Sequence, residues 1–174
     1  GDLRIWDASS GRVVATADFQ DPRRHLAWSM AIDPAKGRFA VAWKNGKVEI
    51  WDIHLKRVTF TATVTATNEP PDVTFGPAGE LLCIGMDDRP TRVFDVDRGC
   101  EILEIEKAKN ERVFDGRFSP DGRWIVTCGR QTSLRLLNAR TGEEIRVFPG
   151  LGRRINDVQF SPDCTRLFTA SQDG

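Results

Sequence analysis

The chain has 174 residues, 40% of them hydrophobic and 29% charged, which suits a folded domain with a core and excludes a disordered polymer. Lysine plus arginine and aspartate plus glutamate balance at 25 each, so no global charge recruits nucleic acid or a membrane surface. No apolar run approaches the roughly 20 residues of a membrane helix.

In chain order, short alternating runs end in a large apolar residue followed by Asp or Asn. Leu3-Arg4-Ile5-Trp6-Asp7 comes first, then Val48-Glu49-Ile50-Trp51-Asp52, Thr91-Arg92-Val93-Phe94-Asp95 and Leu134-Arg135-Leu136-Leu137-Asn138. The large residues lie 45, 43 and 43 positions apart. A second series keeps step with the first: Ile32-Asp33-Pro34, Phe75-Gly76-Pro77, Phe118-Ser119-Pro120 and Phe160-Ser161-Pro162, spaced 43, 43 and 42. Two independent series with one period mark an internal repeat.

The best-formed period reads as four strands and no helix. Val113 to Phe118 alternates and stops at the turn Ser119-Pro120-Asp121-Gly122. Trp124 to Cys128 is continuously apolar, as a strand buried on both faces requires. Leu134 to Leu137 alternates again, and Glu144 to Phe148 follows the turn at Asn138-Ala139-Arg140-Thr141-Gly142. Four antiparallel strands in about 43 residues make one propeller blade, and blades must stack to bury their faces. Within such strands Trp51 is expected to be buried and Glu49 to point to the surface. The cysteines at 83 and 128, set in apolar stretches, are expected to be small buried hydrophobes in a reducing compartment, the cytoplasm.

The fold expected is therefore an all-β propeller of four-stranded antiparallel blades. Residues 1–25 form an outer half-blade, 26–68, 69–111 and 112–150 three blades, and 151–174 an inner half-blade. Gly1 and Gly174 occupy the same place in the repeat, so the two halves are complementary. Oligomerisation or further blades would complete the ring: a piece of a longer propeller is preferred, with two chains exchanging halves, or one chain closing on itself, as alternatives.

Phe160-Ser161-Pro162-Asp163 through Ala170-Ser171-Gln172-Asp173-Gly174, with Trp6-Asp7 and Trp51-Asp52, resembles WD-repeat sequences. The resemblance implies a propeller used to bind other proteins. It also implies that an Asp in the turn after the second strand supports a hydrogen-bond network to the Trp. Asp88 and Asp173 match that Asp, while Asn45 and Gln131 replace it in the other repeats. Phe94 and Leu137 stand where the indole would be, and neither donates an N–H.

No Gly-rich phosphate loop, nucleophile elbow or paired metal-binding histidines occur, so neither catalysis nor a cofactor or metal is expected. Asp72, Asp115 and Asp157, with Ser29 in the other blade, each lie three residues before the end of the innermost strand, where the acids either form a partial ring that binds a cation or accept hydrogen bonds from a neighbouring blade. The resemblance also places the partner-binding rim at the start of the inner strand and just before the turn Asp. Those positions give Trp28, Lys44, Arg112, Phe114, Arg130, Arg154 and Asn156 as candidate partner-binding residues, with Leu26, Glu69, Pro71, Asp87 and Gln172 beside them. Exposed arginine beside an aromatic is the composition of interface hot spots, and guanidinium forks suit carboxylate or phosphate. The plain alternative is ordinary solvated loop charge. The function expected is a non-catalytic protein-interaction scaffold taking an acidic or phosphorylated segment, without nucleic acid or membrane partners. The alternative is a structural or regulatory propeller module of a larger signalling protein that carries a kinase or NTPase domain.

Overall fold

The computed structural model describes residues 3–17, 26–54, 57–64, 70–85, 89–106, 113–129, 133–149 and 153–172, with the backbone alone at 3, 15, 17, 113–115 and 129. Every regular element among them is a β-strand. β1 (Leu3–Trp6) and β2 (Val13–Ala17) form a two-stranded sheet. Three four-stranded antiparallel meanders follow. The first comprises β3 (Ala27–Ile32), β4 (Arg38–Trp43), β5 (Lys47–Asp52) and β6 (Arg57–Thr63). The second comprises β7 (Asp72–Phe75), β8 (Leu81–Gly85), β9 (Thr91–Asp95) and β10 (Cys100–Ile105). The third comprises β11 (Val113–Phe118), β12 (Trp124–Gly129), β13 (Ser133–Asn138) and β14 (Glu144–Pro149). β15 (Ile155–Phe160) and β16 (Leu167–Ser171) end the chain as another two-stranded sheet. These are propeller blades in an arc that does not close on itself. The first strands stand side by side, β3 against β7, β7 against β11 and β11 against β15.

Alternation within each strand sends one set of side chains to the preceding blade and the other to the next. Ala40, Ala42, Val48 and Ile50 meet Val73, Phe75 and Phe94 of the second blade. Cys83, Val93 and Ile105 meet Ile125 and Leu137 of the third. Val126, Cys128 and Leu134 meet Ile155 and Val158. Ile5 of the first hairpin leans on Phe39, Val41 and Trp43. With both faces covered, the second strands lose their polar alternation: β8 is buried throughout, as are Ile125 to Cys128 of β12. Where β11 crosses this interface only glycine fits, since a Cβ on Gly116 would lie 2.6 Å from the Cys83 sulfur.

The surface position expected for Glu49 is wrong. Its side chain is buried, with 1% of the residue exposed. Residues 49 and 51 are two apart on β5 and share a face, so an inward Trp51 carries Glu49 inward with it. Trp51 itself is half-buried, stacked on Phe39 with ring centroids 6.5 Å apart.

Thr91 begins β9 at the register position held by Val48 and Leu134 in the other blades. It is 1% exposed, and its hydroxyl finds no hydrogen-bond partner among the described residues. Thr91→Val keeps the shape and removes the unpaired group, so it is expected to raise stability by about 1 kcal/mol, read as a higher urea midpoint.

Candidate functional site

Two main-chain bonds define the rim that the repeat spacing singles out. Lys44 N–H donates to Leu26 C=O at 3.0 Å, and Gln172 N–H donates to Arg154 C=O at 3.1 Å. One bond made at equivalent places in the first and last repeats puts the residue after the second strand beside the residue before the first. Lys44, Leu26, Gln172 and Arg154 therefore share one edge of the arc.

On this edge the first blade presents an aromatic with a cation. Trp28 is 54% exposed, because nothing among the described residues covers its side of β3. The Lys44 ammonium lies 5.4 Å from the centre of its ring, within cation–π range. At the other end of the arc Asn156 is exposed on β15, whereas Arg154 is half-buried and engaged. Arg112 and Arg130, with Glu69 and Asp87, lie outside the described residues. Phe114 sits on β11, and its side chain also lies outside them. The structure thus brings Trp28 and Lys44 together, and Arg154 and Asn156 near one another. Of the three arginines expected on this rim beside Phe114, Arg154 alone lies among the described residues. The contact between Lys44 and Trp28 had no sequence signal of its own, since 16 positions separate them; only the repeat alignment put both on one rim.

The inner strands carry the second candidate. The Ser29 hydroxyl donates to the Asp72 carboxylate in the next blade, and Val73 N–H donates to the same carboxylate at 3.0 Å. Asp157 accepts from Val158 N–H at 2.9 Å. At Ser29 and Asp72 the series is an inter-blade clasp, the second of the two readings open from sequence. The Asp115 side chain lies outside the described residues. Among the described residues no three of His, Cys, Asp and Glu converge as metal ligands.

A third polar cluster stands where the WD-repeat network would be. Asp88, Gln131 and Asp173 lie outside the described residues, and Asn45 accepts from Lys47 N–H in its own turn. The indole instead turns to Glu49. Trp51 Nε1 and Trp43 Nε1 each donate to Glu49 Oε2 at 3.2 Å, and Lys47 Nζ lies 2.6 Å from Oε1. A buried carboxylate at the centre of the third strand thus accepts from both indoles. The sequence signal for it was the presence of two tryptophans and a carboxylate within nine residues on adjacent strands.

The opposite rim is made of the turns between first and second strands. Ser119 donates to Asp121 at 2.6 Å, and this hydrogen bond, followed by those from Arg123, holds the Asp121 pKa at about 2. Ser161 and Asp163 repeat the pair in the last repeat, at 2.5 Å. In the first blade Asp33 stands at the position of Ser119 and Ser161, and its Arg38 partner reaches across to the second blade.

The family comparison fits this geometry. Residues 102–138 and 142–174 match the model described as WD domain, G-beta repeat, one match ending with β13 and the next running from the turn before β14 through β16. Over those two stretches the sequence carries WD repeats. Among curated relatives, the chain is 26% identical to eukaryotic translation initiation factor 3 subunit I of Vanderwaltozyma polyspora, over 97% of the chain and 52% of that protein. It is 28% identical to human WD repeat and SOCS box-containing protein 1, over 57% of the chain and 24% of that protein. A WD repeat-containing protein of Deinococcus radiodurans is 39% identical over 29% of the chain and 19% of its own length. The chain spans about half the length of the first of these. No helix among the described residues is long and apolar enough to cross a membrane.

Proposed function

We propose that this propeller segment is a non-catalytic protein-binding module of the cytoplasm. Its receiving surface is the rim carrying Trp28, Lys44, Arg112, Phe114, Arg130, Arg154 and Asn156, and its ligand is an acidic or phosphorylated segment of another protein. The observation that carries the reading is Lys44 over an exposed Trp28 on the edge shared with Arg154. An aromatic face beside cations gives a partner both an apolar anchor and a charge-assisted contact, the composition of interface hot spots. Free thiols at Cys83 and Cys128, both buried, support a reducing location.

The test is an array of acidic and phosphorylated peptides probed with the chain. Arg112→Glu with Arg154→Glu is expected to abolish retention at low salt, with some loss of stability from the half-buried Arg154. Lys44→Glu with Trp28→Ala should abolish it too, and their exposed positions should leave the melting temperature close to wild type. Raised salt should weaken the wild-type signal, reporting the electrostatic share. Retention by both double variants would place the binding site elsewhere on the ring.

A second reading is favoured by coverage. The chain spans about half of one relative, and another is named for WD repeats joined to a SOCS box. On that reading the segment is a structural or regulatory part of a longer protein, with a kinase or NTPase domain as the kind of neighbour it would serve.

A further inference from the structure

On the rim opposite Trp28, the same four positions face each other where the first blade meets the second and where the second meets the third. Main-chain bonds fix the equivalence. Asp33 N–H donates to Arg38 C=O and Gly76 N–H to Leu81 C=O, so Gly76 and Leu81 stand where Asp33 and Arg38 do. Gly79 N–H donates to Gly76 C=O and Gly122 N–H to Ser119 C=O, which matches those two glycines. Val96 N–H donates to Glu80 C=O and Ala139 N–H to Arg123 C=O, so Asp97 and Arg140, each one residue further on, also correspond.

At the first junction these positions hold an ionic network that spans the gap between blades. Arg38 donates to Asp33 at 2.9 Å, to Gly79 C=O at 2.8 Å and to Asp97 at 3.0 Å. At the second junction Gly76 replaces Asp33, Leu81 replaces Arg38 and Arg140 replaces Asp97. The bridging guanidinium and the buried carboxylate are gone, and a cation stands where the outer carboxylate was. In their place is a cleft of about 310 Å³, with Gly76, Leu81, Gly122 and Arg140 all in its lining. That volume lies at the small end of ligand pockets, about 300–1,000 Å³. Both walls belong to complete four-stranded blades, away from the ends of the arc.

The apolar part of the lining is the buried Leu81 and the half-buried Pro77 and Phe118. The cations are Arg140 and Arg123, whose side chains are 70% and 69% exposed. Arg123 is braced over the Trp124 ring, 5.0 Å from its centre. Glu80 accepts from Arg140 Nη2 at 3.1 Å, and Asp121 accepts from Arg123 Nε at 2.6 Å. Both pairs are exposed, so water screens them, and each guanidinium has further N–H donors to offer a second carboxylate.

We propose that this cleft is a second protein-binding site, for an extended partner segment that sets a leucine-sized apolar side chain beside an aspartate or glutamate. The apolar side chain takes the space of the Arg38 stem, against Leu81 and Phe118. The carboxylate meets Arg140 and Arg123, the inverse of the first junction, where carboxylates meet Arg38. Charge complementarity chooses this occupant, because a cationic side chain in the same space would face the Arg140 guanidinium.

Fluorescence anisotropy with the whole 174-residue chain tests this. The probe is a labelled, end-blocked peptide Ser-Gly-Leu-Glu-Gly-Ser, compared with counterparts carrying Gln or Lys in place of Glu. The wild-type chain is expected to bind the Glu peptide roughly tenfold more tightly than the Gln peptide. Arg140→Glu, a change at an exposed side chain, should reverse the preference toward the Lys peptide. Lys44→Glu with Trp28→Ala should leave the affinity unchanged, which separates this cleft from the rim proposed above. No binding of the Glu peptide, equal affinity for the Glu and Gln peptides, or a preference untouched by Arg140→Glu overturns the proposal. So does loss of binding in the Lys44 and Trp28 variant, since the peptide is then held on the other rim.

Discussion

Glu49→Ala is expected to cost about 2–4 kcal/mol of folding free energy, although the residue is a charged side chain in an alternating strand. Its carboxylate accepts from the indoles of Trp43 and Trp51 and pairs with Lys47, and it is shut away from water. Hydrogen bonds to a charged acceptor contribute about 1.5–3 kcal/mol each, and truncation strands the Trp43 N–H in the core. Some of that loss is offset because a desolvated carboxylate is no longer buried. Glu49→Gln keeps an acceptor for the indoles and should cost about 1 kcal/mol, mostly through the weaker bonds of a neutral amide. Urea midpoints at one protein concentration decide the matter. An alanine variant that unfolds with wild type, within the roughly 0.5 kcal/mol of an ordinary surface change, would mean that the indoles are anchored by something else.

That expectation reverses the one drawn from sequence, and the reason is physical. The period of 43 and the turn residues made the blades legible, because hairpin turns and strand alternation are local properties. Four strands per period, the continuous burial from Ile125 to Cys128 and the buried thiols of Cys83 and Cys128 all follow from them. Which face of a strand carries a charge inward is not local. Glu49 is held by indoles on two strands, and Arg92 and Arg135 occupy the same register position in the next two blades with quite different partners. A repeat alignment reads that column as a polar outer position; only the pairing of Trp43 with Trp51 around one residue makes it a core site. The rim was legible to the same degree. Repeat spacing placed Lys44 and Gln172, Leu26 and Arg154 on one edge, yet the lean of Lys44 onto Trp28 depends on how far each side chain reaches.

Two glycines with the same backbone give the sharpest test of how blades lock together. Gly79 and Gly99 both have φ of +70°, where a side chain costs about 1–2 kcal/mol through contact with the following carbonyl. Gly99→Ala should cost only that, since nothing lies within 4 Å of the new Cβ. At Gly79 the Cβ would collide with the Asp33 carboxylate. Asp33 cannot yield cheaply. It is 2% exposed, caps its own turn through Ala35 N–H at 2.8 Å and Lys36 N–H at 3.0 Å, and pairs with Arg38 Nε at 2.9 Å. Arg38 also donates to Gly79 C=O at 2.8 Å and to Asp97 at 3.0 Å, tying the first blade to the second. Displacing Asp33 breaks a buried ion pair, a loss of about 3–5 kcal/mol, so Gly79→Ala should cost at least about 4 kcal/mol in all. The coupling is separable. In an Asp33→Ala background the clash and the pair are already gone, and Gly79→Ala should add no more than Gly99→Ala does. Chemical denaturation of the four variants measures this. Equal costs for the two glycine substitutions in the wild-type background would show that the turn at Gly79 swings free of Asp33 and that the blades are held by their apolar faces alone.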